Sequence, residues 1–169
     1  MKRVVCFFFV CLLTLSLFGC NQGNHPPENT VAVYCKRAVP TYGTADSIIA
    51  ATYLETDGHS DNYSYLLGKY LQIAPSEEFV SPFPTGTSLI QFRLEGLTAK
   101  IVLSDQFAAL SGMGLTIACT CLAQTVMSLA DCQEVIISAN TSQLDGRNFI
   151  TLNRDSYLLL DRSGISNSQ

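Results

Sequence analysis

The sequence predicts an α+β fold, with two helices packed on one face of a mixed, mostly antiparallel sheet and a hairpin at the C-terminal end. Three observations predict it. Apolar residues alternate in short runs, most clearly Ile90, Phe92 and Leu94 followed by Leu97, Ala99, Ile101 and Leu103 across a tight Glu95-Gly96 connection. Two longer runs repeat at helical spacing instead, one reaching Ala74 and one from Leu115 to Ala130. The resulting order is two strands, helix, two strands, helix, strand and hairpin, and helices set between groups of strands cover a sheet that cannot bury its face alone.

The chain starts with Lys2-Arg3, an uncharged apolar run from Val4 to Phe18, and then Gly19-Cys20. As a helix this run would span roughly 22 Å, short of the ~30 Å hydrocarbon core of a bilayer. It is therefore expected to be a secretion signal, residues 1–19, removed at a lipoprotein cleavage box. The Cys20 thiol would take a diacylglyceryl group, and two or more acyl chains anchor a protein stably where one is marginal. Residues 20–30 contain Gly23, Pro26 and Pro27 without periodicity and read as a tether.

The body follows as one domain, residues 31–162, with a tail at 163–169. Val31 to Arg37 alternates as a strand, Pro40 to Gly43 breaks it, and Ser47 to Glu55 is a second strand closed by Asp57-Gly58. Ser60 or Asp61 is the expected N-cap of the first helix, in which Tyr63, Leu66, Leu67, Tyr70, Leu71 and Ala74 share a face until Pro75. Ser76 to Gly86 carries two prolines, Pro82 and Pro84, and reads as a loop. After the central hairpin, Gly112-Met113-Gly114 is expected to break the chain before the long apolar helix. Val135 to Ala139 is a buried strand, and Asn148 to Leu152 with Tyr157 to Asp161 forms the closing hairpin around Asn153-Arg154-Asp155.

The whole chain holds 10 basic and 14 acidic residues. Loss of Lys2 and Arg3 with the signal would take the net charge from −4 to −6. Such a balance opposes nucleic acid and offers an anionic membrane surface no attraction, so membrane association would rest on the lipid at Cys20. Of seven cysteines, Cys35, Cys119, Cys121 and Cys132 remain once the signal is removed and Cys20 is acylated. An exported protein would allow two disulfides among them, with Cys35 to Cys132 or to Cys121 both open. Residues two apart on a helix point about 200° away from each other, so Cys119 and Cys121 cannot grip one ion. No metal or other cofactor is expected.

Several segments together resemble a known family. They are Tyr65-Leu66-Leu67-Gly68, the loop Pro82-Phe83-Pro84-Thr85-Gly86-Thr87, the strand Ala99-Lys100-Ile101-Val102-Leu103-Ser104 followed by Phe107, Gln124-Thr125 in the second helix, and Val135-Ile136-Ile137. They resemble the GerM domain of sporulation and spore-germination lipoproteins, over roughly Val31 to Asp161. The resemblance implies a module similar to the ring-building folds of secretion and sporulation machines. It also implies action by protein–protein contact in the cell envelope, with self-association as one form of that contact.

The residues themselves give little to an enzyme. Nucleophilic catalysis needs a serine or cysteine with a nearby base. The chain has two histidines: His25 lies in the tether, and His59 stands near Asp57 and Ser60 in a turn. No catalytic residue is assigned. The expected function is therefore a lipid-anchored scaffold, for which strand addition at the Asn148 to Asp161 hairpin is one mode. The alternatives are an envelope hydrolase centred on His59 and Asp57, and a small-ligand-binding lipoprotein, for which two helices on one sheet leave little volume.

Overall fold

A computed structural model describes residues 27–39 and 48–154. Cys20, the signal and most of the tether lie outside them, as do the C-terminal tail and the second arm of the closing hairpin, Tyr157 to Asp161. The α+β class and the two helices are as expected. The strands divide into two sheets.

The first sheet has the order β2-β1-β3, with β1 Thr30–Arg37, β2 Ile49–Glu55 and a two-residue β3, Phe79–Val80, all antiparallel. The second sheet has the order β4-β5-β6-β7, comprising Leu89–Glu95, Thr98–Leu103, Glu134–Ala139 and Ile150–Asn153. Strands β5 and β6 are parallel, and their other neighbours are antiparallel. Parallel neighbours need a crossover, and helix α2, Gly112–Leu129, supplies it. A single 3-10 turn, Asp105–Ala109, leads from β5 towards α2.

Helix α1 covers Tyr63–Leu71. Its N-cap is Asn62, not Ser60 or Asp61, because the Asn62 Oδ1 accepts from the Tyr65 N–H at 3.0 Å. It stops before Ala74: the Gln72 N–H donates back to Lys69 in a tightened last turn, and Pro75 excludes a helical residue before it. Helix α2 starts three residues earlier than its apolar pattern. Gly112, with φ +52, provides the turn into the helix instead of ending the preceding segment.

One core joins the two sheets. Val33 and Cys35 of β1, Leu67 and Tyr70 of α1, Ala99 and Ile101 of β5, and Cys119, Leu122 and Val126 of α2 belong to the same buried cluster. Length and apolarity alone would let α2 cross a membrane, yet ten of its residues are buried against the protein. The outer face of the second sheet is polar, with Arg93, Lys100 and Thr151 exposed and Lys100 paired to Glu95 at 2.6 Å.

The division into two sheets has a chemical cause at β1. Its even-numbered residues turn their main chain away from β2. At Lys36 that edge is taken by Val80 of β3. Further along, helix hydroxyls replace a strand: Thr125 Oγ1 accepts from the Tyr34 N–H at 2.9 Å, the Tyr70 hydroxyl donates to the Tyr34 carbonyl, and Ser128 Oγ donates to the Ala32 carbonyl at 2.7 Å. Main-chain groups of a folded chain must find partners, and three hydroxyls, two of them on part-buried groups, close this edge without a further strand.

Candidate interaction surface

The free edges follow from the same register. In an antiparallel pair the residues opposite each other alternate between exchanging hydrogen bonds and facing away. Tyr34 uses its main chain on the helices, so its partner Ala51 faces outward, and so does Tyr53 opposite Ala32. The next outward carbonyl, that of Glu55, is held by Lys69 Nζ at 2.8 Å. Among the described residues, β2 pairs with β1 alone. Its sequence Ile-Ala-Ala-Thr-Tyr-Leu-Glu carries no proline or bulge and a single charge at its end, and the Tyr53 side chain is 45% exposed. Strands of this kind are templates for another chain.

The other edges differ. Strand β4 is irregular between Leu89 and Gln91 and carries Arg93 and Glu95. Strand β7, the described arm of the expected closing hairpin, pairs with Glu134 to Ile137 of β6. The sequence pointed to this hairpin and not to β2, because which strand ends a sheet is a matter of order in space. The cue it did contain was the unguarded composition of residues 49–54.

Asp57 and His59 come close together but not as a catalytic pair. Asp57, at φ +50, accepts from Lys69 Nζ at 2.6 Å and from the Tyr65 hydroxyl at 2.9 Å. Lys69 first, and then Tyr65, hold its carboxyl below the usual aspartate range. The His59 ring lies against the Tyr65 ring with centroids 4.4 Å apart. The carboxylate thus orients a lysine and a tyrosine, and it makes no bond to the imidazole.

An open cleft of about 560 Å³ lies beside this cluster, lined by His59, Asp61, Asn62, Tyr63, Ser64 and Phe92 among others. A second, of about 430 Å³, separates Ile73 from the Pro84 to Ser88 loop. That loop is a turn in which the Thr87 N–H donates to the Pro84 carbonyl and Gly86 takes φ +84. These surface clefts offer more room than the sequence led one to expect.

The four described cysteines are buried free thiols. Cys119 packs in the main core, whereas Cys121 sits in a separate cluster with Ile49 and Ile117. Their divergence on α2 is the one the helical period requires. Cys35 belongs to the main cluster, and its thiol and that of Cys121 lie near enough to raise the latter further, both unpaired. Burial raises the Cys35 thiol to about 11 and the Cys119 thiol to about 12.

Neither a family model nor a curated protein matches the sequence. Solved structures do match. The tandem GerMN domains of the sporulation protein GerM from Bacillus subtilis align with a TM-score of 0.51 at 8% identity, covering 80% of this chain and 50% of that one. The fold is GerM-like. The chain spans half of that tandem protein. The first GerMN domain of GerM aligns with a TM-score of 0.49 at 14% identity, covering 70% of this chain and 91% of that one. A candidate lipoprotein from Clostridium perfringens aligns at 0.48 and 16%, covering 75% and 87%. At these identities the likeness concerns the fold.

Proposed function

We propose that the protein is a lipid-anchored module on the outer face of a bacterial membrane, which recruits a protein partner in the envelope by strand addition along β2. Its role would relate to sporulation, spore germination or envelope assembly. The observation that carries this reading is the outward main chain of Ala51 and Tyr53 on a regular, uncharged stretch of edge strand. A partner strand would complete those hydrogen bonds, and the exposed Tyr53 ring would give the contact its side-chain anchor. The Cys20 lipobox supports the anchor, and a fold shared with domains of a sporulation protein supports the setting.

The test uses a photo-crosslinking residue in place of Tyr53, in cells, with and without Ala51→Pro. Proline removes one outward N–H and no bond of the β1–β2 ladder. A discrete adduct that disappears with Ala51→Pro, in a protein that keeps its melting temperature, is the expected result. An adduct of unchanged size and yield in Ala51→Pro would overturn strand addition. A heavier adduct containing two copies of this chain would identify the partner as self. For the anchor, Cys20→Ser should abolish labelling by a fatty-acid analogue, and undiminished label would remove the lipid assignment.

A further inference from the structure

We propose that the cleft between the start of α1 and strand β4 is a glycan-binding site, taking pyranose rings with one apolar face against Phe92 and Tyr63. The two rings meet edge to face with centroids 5.9 Å apart, which fixes an aromatic corner at the base of the cleft. Leu94 continues the same face of β4 two residues beyond Phe92, opposite Ala99, and is 41% exposed. Phe92 and Leu94 thus place two apolar side chains in succession along one face of β4.

The polar groups around this corner suit vicinal hydroxyls. The Asn62 side-chain oxygen is held by the Tyr65 N–H at 3.0 Å, so the side-chain NH2 is left to donate. Asp61 receives a 3.4 Å contact from Ser60 on one carboxylate oxygen and keeps the other as an acceptor. Ser64 Oγ supplies either role. His59 closes the rim, its ring position set by Tyr65 and through it by Asp57 and Lys69. A donor, an acceptor and a hydroxyl on neighbouring residues beside an aromatic wall meet the demands of a ligand that is apolar on its ring faces and polar at its edges. At about 560 Å³ the cleft is within the usual range of small-ligand sites, about 300–1,000 Å³. Its openness fits a polymer that runs through, more than a small molecule that is enclosed.

The proposal does not depend on strand addition, since none of these residues lies on β2. Isothermal titration of the purified protein, in a detergent without a sugar headgroup, should use chitotetraose, cellotetraose and maltotetraose as probes. The expected result is saturable binding of at least one, with Kd near or below about 1 mM. Phe92→Leu keeps an apolar residue in the core but removes the ring face, and should weaken binding by about tenfold. The exposed Asp61→Asn, which cannot disturb the core, should weaken it by about threefold or more. Tyr53→Ala should leave it unchanged. Preference for chitotetraose would indicate that an N-acetyl group is read by Asn62. No saturable heat with any of the three, or equal binding in Phe92→Leu and Asp61→Asn, would overturn the site.

Discussion

Thr125→Val tests whether a helix hydroxyl stands in for a missing strand. Thr125 is fully buried, and its Oγ1 accepts the Tyr34 N–H at 2.9 Å on the side of β1 away from β2. Valine has nearly the same volume, so no cavity opens; what changes is that a buried N–H loses its acceptor. An ordinary hydrogen bond contributes about 0.5–1.5 kcal/mol net, and stranding a buried donor raises the loss to about 1–3 kcal/mol. We expect about 2 kcal/mol. For a domain of this size each kcal/mol lowers Tm by about 3–5 °C, so a fall of about 6–10 °C is expected in thermal unfolding followed by circular dichroism, with a matching drop in urea midpoint. The Tyr70 hydroxyl and Thr125 Oγ1 both bond to the main chain of Tyr34, so Tyr70→Phe and Thr125→Val should couple by at least about 0.5 kcal/mol in a double-mutant cycle. Ser128→Ala, whose hydroxyl meets Ala32 at an exposed position, should cost no more than about 0.5 kcal/mol, because water replaces it. If Thr125→Val unfolds within about 0.5 kcal/mol of the parent, or if the two buried variants simply add, the account of the β1 edge is wrong.

Three further outcomes follow from the same structure. Asp105 accepts from the Thr141 N–H at 2.8 Å, from the Thr141 hydroxyl at 2.7 Å and from the Ser142 N–H at 2.9 Å, and these bonds, the Thr141 N–H first, hold its carboxyl at about 2. A depressed folded value means that its stabilisation is complete above the ordinary aspartate range near 3.9 and is lost as pH falls towards about 2. Carboxyl-resolved NMR titration should show the low value, and Asp105→Asn should flatten the acid limb of stability between those pH values. Gly86→Ala should cost about 1–2 kcal/mol through its φ of +84 alone, since an added Cβ would meet only the Gln106 Cγ at an ordinary 3.7 Å; a neutral result in urea unfolding would contradict the turn. Iodoacetamide at about pH 8 should leave Cys35 and Cys119 unlabelled in the native protein and label both in denaturant, because burial raises both thiols and closes access to them. Fast native labelling would show the core to be open.

The local elements were legible because their causes are local. Ile90 to Leu103 alternates around a glycine that takes φ +60, and the sequence places that hairpin within a residue or two. The period of 3.6 likewise sends Cys119 and Cys121 to different sides of α2, which suffices to deny them a shared ion. Helix ends were less legible: Asn62 won the cap over Ser60 and Asp61 through one hydrogen bond, and Gly112 entered the helix that it seemed to precede.

By itself, the sequence determined the class of the fold, both helices and six of the seven described strands, the two-residue β3 lying in a segment expected to be a loop. The tertiary structure alone decided which strand edge is closed and which is open. Thr125, Ser128 and Tyr70 look like ordinary members of amphipathic helices, and nothing within a few residues of them says that their hydroxyls meet Ala32 and Tyr34. Those contacts join residues 36 to 96 positions apart. Periodicity reports how a segment faces the core, but the fate of a backbone N–H depends on what the rest of the chain brings beside it.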